Sequence, residues 1–327
     1  AIMAHYERMG IPAERVEKGV DYGIYHTTFK IKGEPLISII IPNKDEIEVL
    51  QKCLDGIKKT NYDNCEIIIV ENNSCKDTFS FYRRIAPGEE KVHGVQTFQG
   101  KLSHNMDIKV VVWENEFNYS KLNNFGVQFA TGKYYIFLNN DVEMIGTDWI
   151  LRLSGDCHRN KVGVTGVKLY YPDDTVQHAG IVIGIGGSKR GIAANMFQGL
   201  PREEHGYQNR ASLQADYSAV TAACMMVKKD VFDAVDGFTE KLQVAFNDVD
   251  FCLKVRKKGY LVMYDPKIEG YHYESKSRGA EDTPEKVRRF QGEIDTFRVL
   301  WKDILKDGDP YYNRNFSLVS NQYLLGK

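Results

Sequence analysis

The stretch AFNDVDFCLKVRKKGY (245–260) carries two carboxylates, Asp248 and Asp250, where an extended segment gives way to a helical pattern. If the helix starts at Asn247, that residue is a good N-cap. Asp250, three residues on, then takes the partner position of a capping box, so both have structural work. Asp248 is different. With Phe251, Cys252 and Val255 it forms an i, i+3, i+4, i+7 stripe, the face a helix turns inward. Desolvation there raises a carboxyl pKa towards that of a useful general base, while the helix N-terminus favours the ionised form. Asp248 is the catalytic candidate and Asp250 the structural one.

Other groups with chemical potential follow apolar runs. Pro42-Asn43-Lys44-Asp45 comes after the first run and Glu71-Asn72-Asn73-Ser74 after the second. ENEFNYSKLNNFG, with Asn118, Lys121, Asn123 and Asn124, follows the third, and Asn139-Asn140-Asp141 the fourth. Taken singly, such residues are ordinary turn and cap formers. Four clusters on one sheet edge suit the donor and acceptor groups of a base and a ribose. Asp141 also supplies the hard oxygen that a metal holding a diphosphate needs. GYHYESKSRG (270–279) adds His272, an imidazole ligand type, and Ser277 and Arg278, whose hydroxyl and guanidinium match phosphate oxygens. GIVIGIGG (180–187) lacks the third glycine of a dinucleotide fingerprint, since Lys189 stands there. His178 carries no assignment beyond a candidate ligand.

The elements that must position these groups are legible from periodicity. LISIIIP (36–42), EIIIVE (66–71), IKVVVW (108–113) and YYIFL (134–138) read as buried strands. Helical patterns alternate with them: Val49, Leu50, Cys53, Leu54 and Ile57, then Leu122, Phe125, Gly126 and Phe129. Such alternation predicts an α/β fold with a mostly parallel, Rossmann-like sheet and right-handed crossovers, in which ligands bind beyond the carboxyl ends of the strands. Residues 86–107 show no pattern and are expected to be a mobile insertion. Further strands are expected at 163–170, 178–185, 221–228 and 260–266, and a long helix near 284–305. Residues 1–34 read as an N-terminal arm, and 35–327 as one domain, with a nucleotide-binding half to about 141 and an acceptor half beyond it.

Acidic and basic residues nearly balance, 44 against 43, so no polybasic surface for nucleic acid is expected. Six scattered cysteines without a CxxC pair argue against a zinc site or disulfide framework and fit a reducing, cytoplasmic setting. The apolar runs are strand-sized, which leaves peripheral association with the inner membrane face open. AIMAHYERMG has no leader-like apolar core and no initiator Met, so a piece of a longer protein is expected.

Six motifs in order, SIIIPNKDE, IIIVENNS, NYSKLNNFGVQFATGKYYIFLNNDVEM, YSAVTAACMMVKKDVFDAVDGF, FNDVDFCLKVRKKGY and HYESKSRG, resemble the family 2 glycosyltransferases. These are inverting GT-A enzymes that move a sugar from a nucleotide diphosphate to a hydroxyl. The likeness runs from about residue 35 to the C-terminus and is strongest to bacterial enzymes of O-antigen, capsule and rhamnose-rich cell-wall polysaccharide assembly. It implies a UDP- or dTDP-linked donor and a glycan or lipid-linked glycan acceptor. Pro42, Asn43, Asp45, Glu71, Lys121, Asn123 and Asn140 would surround the nucleotide, and Asp141 in the DxD-like element would bind Mn²⁺ or Mg²⁺. His272 would complete the metal or diphosphate site, Ser277 and Arg278 would hold phosphate oxygens, and Asp248 would deprotonate the acceptor. Asn139 stands where the pattern has its first carboxylate, and Asn247 where it has a Glu before the base. TAACMM (221–226) would lie near the donor sugar and acceptor. A sugar nucleotidyltransferase would need a Gly-rich loop after the first strand, which PNKDE lacks. A non-catalytic nucleotide-sugar-binding module is the other alternative.

Overall fold

The computed structural model describes residues 1–186, 191–273 and 283–326. Its centre is a twelve-stranded sheet among the described residues. The strands Asp107–Val112, Cys65–Glu71, Ile37–Asn43 and Tyr134–Leu138 lie side by side and parallel, as the alternating pattern predicts. Cys224–Lys228 then enters antiparallel, followed by Val162–Tyr170 and Leu261–His272, which run parallel to each other.

The apolar runs are continuous because the sheet is covered on both faces. Ile39 and Ile41 join Leu50, Cys53, Leu54 and Ile57 of the helix Ile47–Lys58 in one core layer. Ile40 points the other way, into a layer with Leu122, Phe137, Phe251 and Val255. Each of these branched side chains removed from water stabilises the fold by about 1.5–3 kcal/mol. The helix Tyr119–Val127 sits close to the sheet because Gly126 has no side chain. A Cβ there would lie 2.7 Å from Val70 Cγ2 and 2.8 Å from Ile40 Cγ2.

Three expectations are corrected. Residues 86–107 are not an unpatterned insertion: Gly88–Val92 and Val95–Lys101 form an antiparallel hairpin that extends the sheet at its edge. His93 and Gly94 both have positive φ (52° and 81°), the backbone a two-residue hairpin turn demands. The outer strand, GEEKV, carries charges that discourage edge-to-edge pairing. The strand expected at 178–185 is two short strands, Val176–His178 and Ile181–Ile183, parted near Gly180 at φ 90°. The C-terminal helix breaks at Trp301 into Pro284–Leu300 and Lys302–Asp307.

The N-terminal residues form a helix, Ile2–Arg8, and a hairpin, Ala13–Lys18 with Tyr25–Phe29. The hairpin is tied down by Gln214, which bonds both the amide and the carbonyl of Thr27 (2.8 and 2.9 Å). Arg152 donates to Thr28 Oγ1 at 3.2 Å. All six cysteines are free thiols.

Replacing Gly126 with Val forces the helix off Val70 and Ile40 and is expected to cost about 1–3 kcal/mol, measured as a fall in the urea midpoint.

Candidate active site

The polar strand ends converge on one cavity of about 430 Å³ at the carboxyl edge of the sheet. Of the residues picked out from sequence, Pro42, Asn43, Asn140, Asp141, Asp248 and His272 line it.

Asp141 and His272 are 131 positions apart in the chain. The strand Val142–Ile145 pairs antiparallel with the end of Leu261–His272, with Val142 opposite His272, and this brings them together. Asp141 Oδ1 lies 3.2 Å from His272 Nε2, and Tyr273 N donates to the Asp141 carbonyl at 3.0 Å. The Gln177 amide donates to the His272 carbonyl at 3.5 Å, so its Oε1 faces His272 Nδ1 at 2.7 Å. Nδ1 therefore carries the proton and the Nε2 lone pair turns towards Asp141. Asp141 Oδ1 is buried and has no hydrogen-bond donor. Two acceptors 3.2 Å apart fit a shared divalent cation, with Gln177 as the outer partner that sets the tautomer. Asn139 Nδ2, also 3.2 Å from Nε2, donates to the same lone pair, and a cation would compete with it. No cluster of three His, Cys, Asp or Glu side chains stands here among the described residues, so the remaining ligands would be diphosphate oxygens and water.

Asp248 sits in the first turn of the helix Asn247–Lys257. The stripe beneath it is as expected: Phe251, Cys252 and Val255 are fully buried. Burial pushes the Asp248 carboxyl pKa up, and hydrogen bonds from the Ala222 and Val249 amides pull against it. Those bonds measure 3.2 Å to Oδ2 and 2.8 Å to Oδ1. The capping box is not formed. Asn247 Oδ1 accepts from the Asp248 amide at 2.7 Å, while Asp250 accepts from the Trp301 indole at 2.8 Å and so anchors the C-terminal helices.

The residue before the helix, Phe246, has a left-handed backbone (φ 61°), a strained state for a bulky side chain. The helix Pro284–Leu300 holds it there. Phe290 and Phe297 pack on the Phe246 ring at 5.8 and 5.5 Å. The buried Glu293 accepts from the Val244 and Ala245 amides at 2.7 and 3.3 Å.

Four assigned residues lie outside the cavity lining. Glu71 is fully buried and its carboxylate is occupied: Ser74 N and Oγ donate to it (2.5 and 2.7 Å), as does the Tyr82 hydroxyl (2.6 Å). Asp45 accepts from Cys75 N and Thr78 Oγ1 at the start of the helix Lys76–Ile85, and the Cys75 amide holds its pKa down. Lys121 is exposed, and Asn123 is buried with its amide donating to the Tyr119 carbonyl (2.8 Å). Ser277 and Arg278 lie outside the described residues. His178 is structural: it is buried neutral, its Nε2 accepts from Gly180 N and Thr221 N at 3.4 Å, and burial lowers its pKa to about 4.

Sequence reasoning missed Tyr119, Lys286 and Arg289, all of which line the cavity. The Tyr119 hydroxyl donates to the Ala222 carbonyl at 2.9 Å and lies 3.2 Å from Asn139 Oδ1. Its place after Asn118, whose side chain caps the helix by accepting from Lys121 N at 2.9 Å, was the available signal. Lys286 and Arg289 face the cavity at i, i+3 spacing on a helix of unremarkable polarity, and nothing local marks them.

A central sheet with four adjacent parallel strands and, at its carboxyl edge, a polar cavity holding an Asp–His pair and a separate carboxylate make up an α/β nucleotide-sugar-transferase-like fold of the GT-A kind. The model of "Glycosyl transferase family 2" matches residues 38–235, and the chain belongs to that family. It is 41% identical over 92% of its length to uncharacterized protein y4gI of Sinorhizobium fredii, and 30% identical over 98% to O-antigen biosynthesis protein RfbC of Myxococcus xanthus. It spans only 31% and 23% of those two proteins. Among solved structures it resembles the mannosyltransferase PcManGT of Pyrobaculum calidifontis in complex with GDP-Man and Mn²⁺. That match has a TM-score of 0.57 at 15% identity and covers 92% of this chain and 72% of that one. GalNAc-T7 with UDP, GalNAc and Mn²⁺ gives 0.60 at 14%, covering 86% and 50%. At such identities these two show the fold. No helix among the described residues is long and apolar enough to cross a membrane.

Two outcomes are expected. Glu293→Ala leaves the Val244 and Ala245 amides without their acceptor. It should cost about 1–3 kcal/mol and lower turnover more than nucleotide affinity, compared by kinetics and calorimetry. His178 has its pKa depressed from 6.5 to about 4, so the unfolded chain takes up that proton first as pH falls. The stability from neutral His178 is complete above about pH 6.5 and declines towards pH 4, by up to about 1.4 kcal/mol per pH unit. Denaturation across that range should show His178→Gln lacking this part of the slope.

Proposed function

We propose that the domain is an inverting glycosyltransferase that moves a sugar from a UDP- or dTDP-linked donor to a hydroxyl of a growing cell-surface polysaccharide or lipid-linked glycan, on the cytoplasmic side of the membrane. The observation that carries the reading is that the Asp248 carboxylate and the Asp141–His272 pair open onto the same cavity. The O-antigen role named for the Myxococcus xanthus relative supports the acceptor class.

Asp248 takes the proton of the acceptor hydroxyl. The oxygen forms its bond to the anomeric carbon from the face opposite the donor's C–O bond, which breaks with its electron pair leaving on the diphosphate. Asp141 and His272 hold a Mn²⁺ or Mg²⁺ ion, which when bound offsets the diphosphate charge. Lys44 and Lys286 add positive charge around the same cavity, which Arg289 also lines while paired with Glu293 at 3.6 Å, and Ser277 and Arg278 are assigned to phosphate oxygens. Pro42, Asn43 and Asn140 form the nucleotide side. Glu71, Asp45 and Asn123 act behind it by shaping the loops, and Lys121 is assigned to the nucleotide from the family pattern alone. The Thr221–Ala223 backbone is proposed to lie beneath the sugar, since it lines the cavity and binds Asp248 through the Ala222 amide.

The first test is calorimetric titration of UDP, dTDP and GDP with and without Mn²⁺. Tight binding of one diphosphate only with the metal supports the site, and no binding under any condition sinks the reading. Asp248→Asn should reduce transfer by about 10³-fold or more while leaving metal-dependent nucleotide binding intact. Turnover surviving that change would remove Asp248 as the base. With the wild type, kcat/KM should fall as pH drops through a limb above the ordinary carboxylate value of 3.8, because the raised Asp248 pKa leaves less of the ionised base.

A further inference from the structure

A second cavity, of about 480 Å³, lies between the N-terminal hairpin and the outer part of the large sheet and shares no lining residue with the first. His26 faces it from the hairpin, Lys168 and Tyr170 from the strand Val162–Tyr170, and Arg202 and Glu269 from beside that strand. Its size falls within the usual range for small-ligand sites.

The charges around it are unevenly satisfied. Glu269 is occupied on both oxygens, accepting from the Tyr170 hydroxyl and from Arg202 Nη2 at 3.1 Å. Arg202 also lies 3.4 Å from Asp174. Lys168 is left over. It is 3% exposed, its ammonium sits 5.3 Å from the centroid of the Tyr170 ring, and among the described residues it makes no hydrogen bond or ion pair. Burial lowers its pKa; Glu269, its register partner on the neighbouring strand, pulls the other way, and the Arg202 charge adds a smaller lowering. His26 is 2% exposed, and both of its ring nitrogens are buried without a partner. The Lys168 ammonium thus reaches the cavity with no hydrogen-bond acceptor among the described residues, and the His26 imidazole that also lines it departs from the rule that buried polar groups are satisfied.

We propose that this cavity is a binding site for an oxyanion, a carboxylate or phosphate group, which accepts hydrogen bonds from Lys168 and His26. The two sources of that chemistry are an acidic saccharide and a free phosphate.

The test titrates the full chain with glucuronate, inorganic phosphate and glucose, read by calorimetry and thermal shift. Saturable binding of glucuronate but not glucose identifies an acidic saccharide site, and binding of phosphate alone identifies a phosphate site. Lys168→Met should weaken either by about tenfold or more, while the Mn²⁺-dependent nucleotide titration stays unchanged and shows the fold intact. His26→Phe, outside the large sheet, serves if the first variant does not fold. Equal binding of glucose, no saturable binding of either anion, or anion binding untouched by these substitutions would overturn the proposal.

Discussion

The site depends on one piece of strand pairing. Val142–Ile145 is only four residues long, yet its register against Leu261–His272 alone sets Asp141 beside His272. A slip of one residue would turn every side chain of the short strand to the opposite face and part the two. The register is held from several directions: Tyr273 N binds the Asp141 carbonyl, Gln177 grips His272 at ring and carbonyl, and Asn139 N donates to the Ala223 carbonyl at 2.9 Å. The Asp141–His272 edge of the cavity is therefore a property of backbone topology, and its side chains inherit their positions.

A second network stiffens the opposite side of the cavity, around Asn43 and Asn140. Asn140 donates to Asn43 (2.6 Å), Asn43 to Tyr82 (2.7 Å), and Tyr82 to Glu71, which also receives Ser74. Every carboxylate oxygen in it has a donor, so the loops beyond the first two parallel strands are fixed relative to Asn140. The price of this rigidity is that Glu71 has no free oxygen for a ligand. Asp248 shows the opposite balance. Its two amide donors do not cancel the burial that raises its pKa.

The central strands and the Asp248 stripe were legible because a doubly covered sheet writes continuous apolar runs and a packed helix writes a 3.6-residue period. The edge hairpin at 88–101 was not, since its outer strand faces water with Glu89, Glu90 and Lys91 and its turn is marked only by His93-Gly94. Polar clusters at strand ends located the cavity, but residue type could not separate Asn43, which lines it, from Asp45, which caps a neighbouring helix. The pairing of Asp141 with His272 was legible only as a family resemblance, because no local pattern encodes a contact across 131 positions. Lys286 and Arg289 were missed for the same reason: the helix that carries them reaches the cavity through tertiary packing.

That packing bears on when the domain becomes an enzyme. The backbone that leads into Asp248 is strained at Phe246 and is held by Phe290, Glu293 and Phe297, with Trp301 bound to Asp250. During synthesis the strands of the large sheet precede the helix Pro284–Leu300, so the segment that leads into Asp248 emerges before its clamp. The parallel strands can pair while the left-handed turn at Phe246 still has nothing to hold it. The position of Asp248 is thus among the last features of the described fold to be fixed.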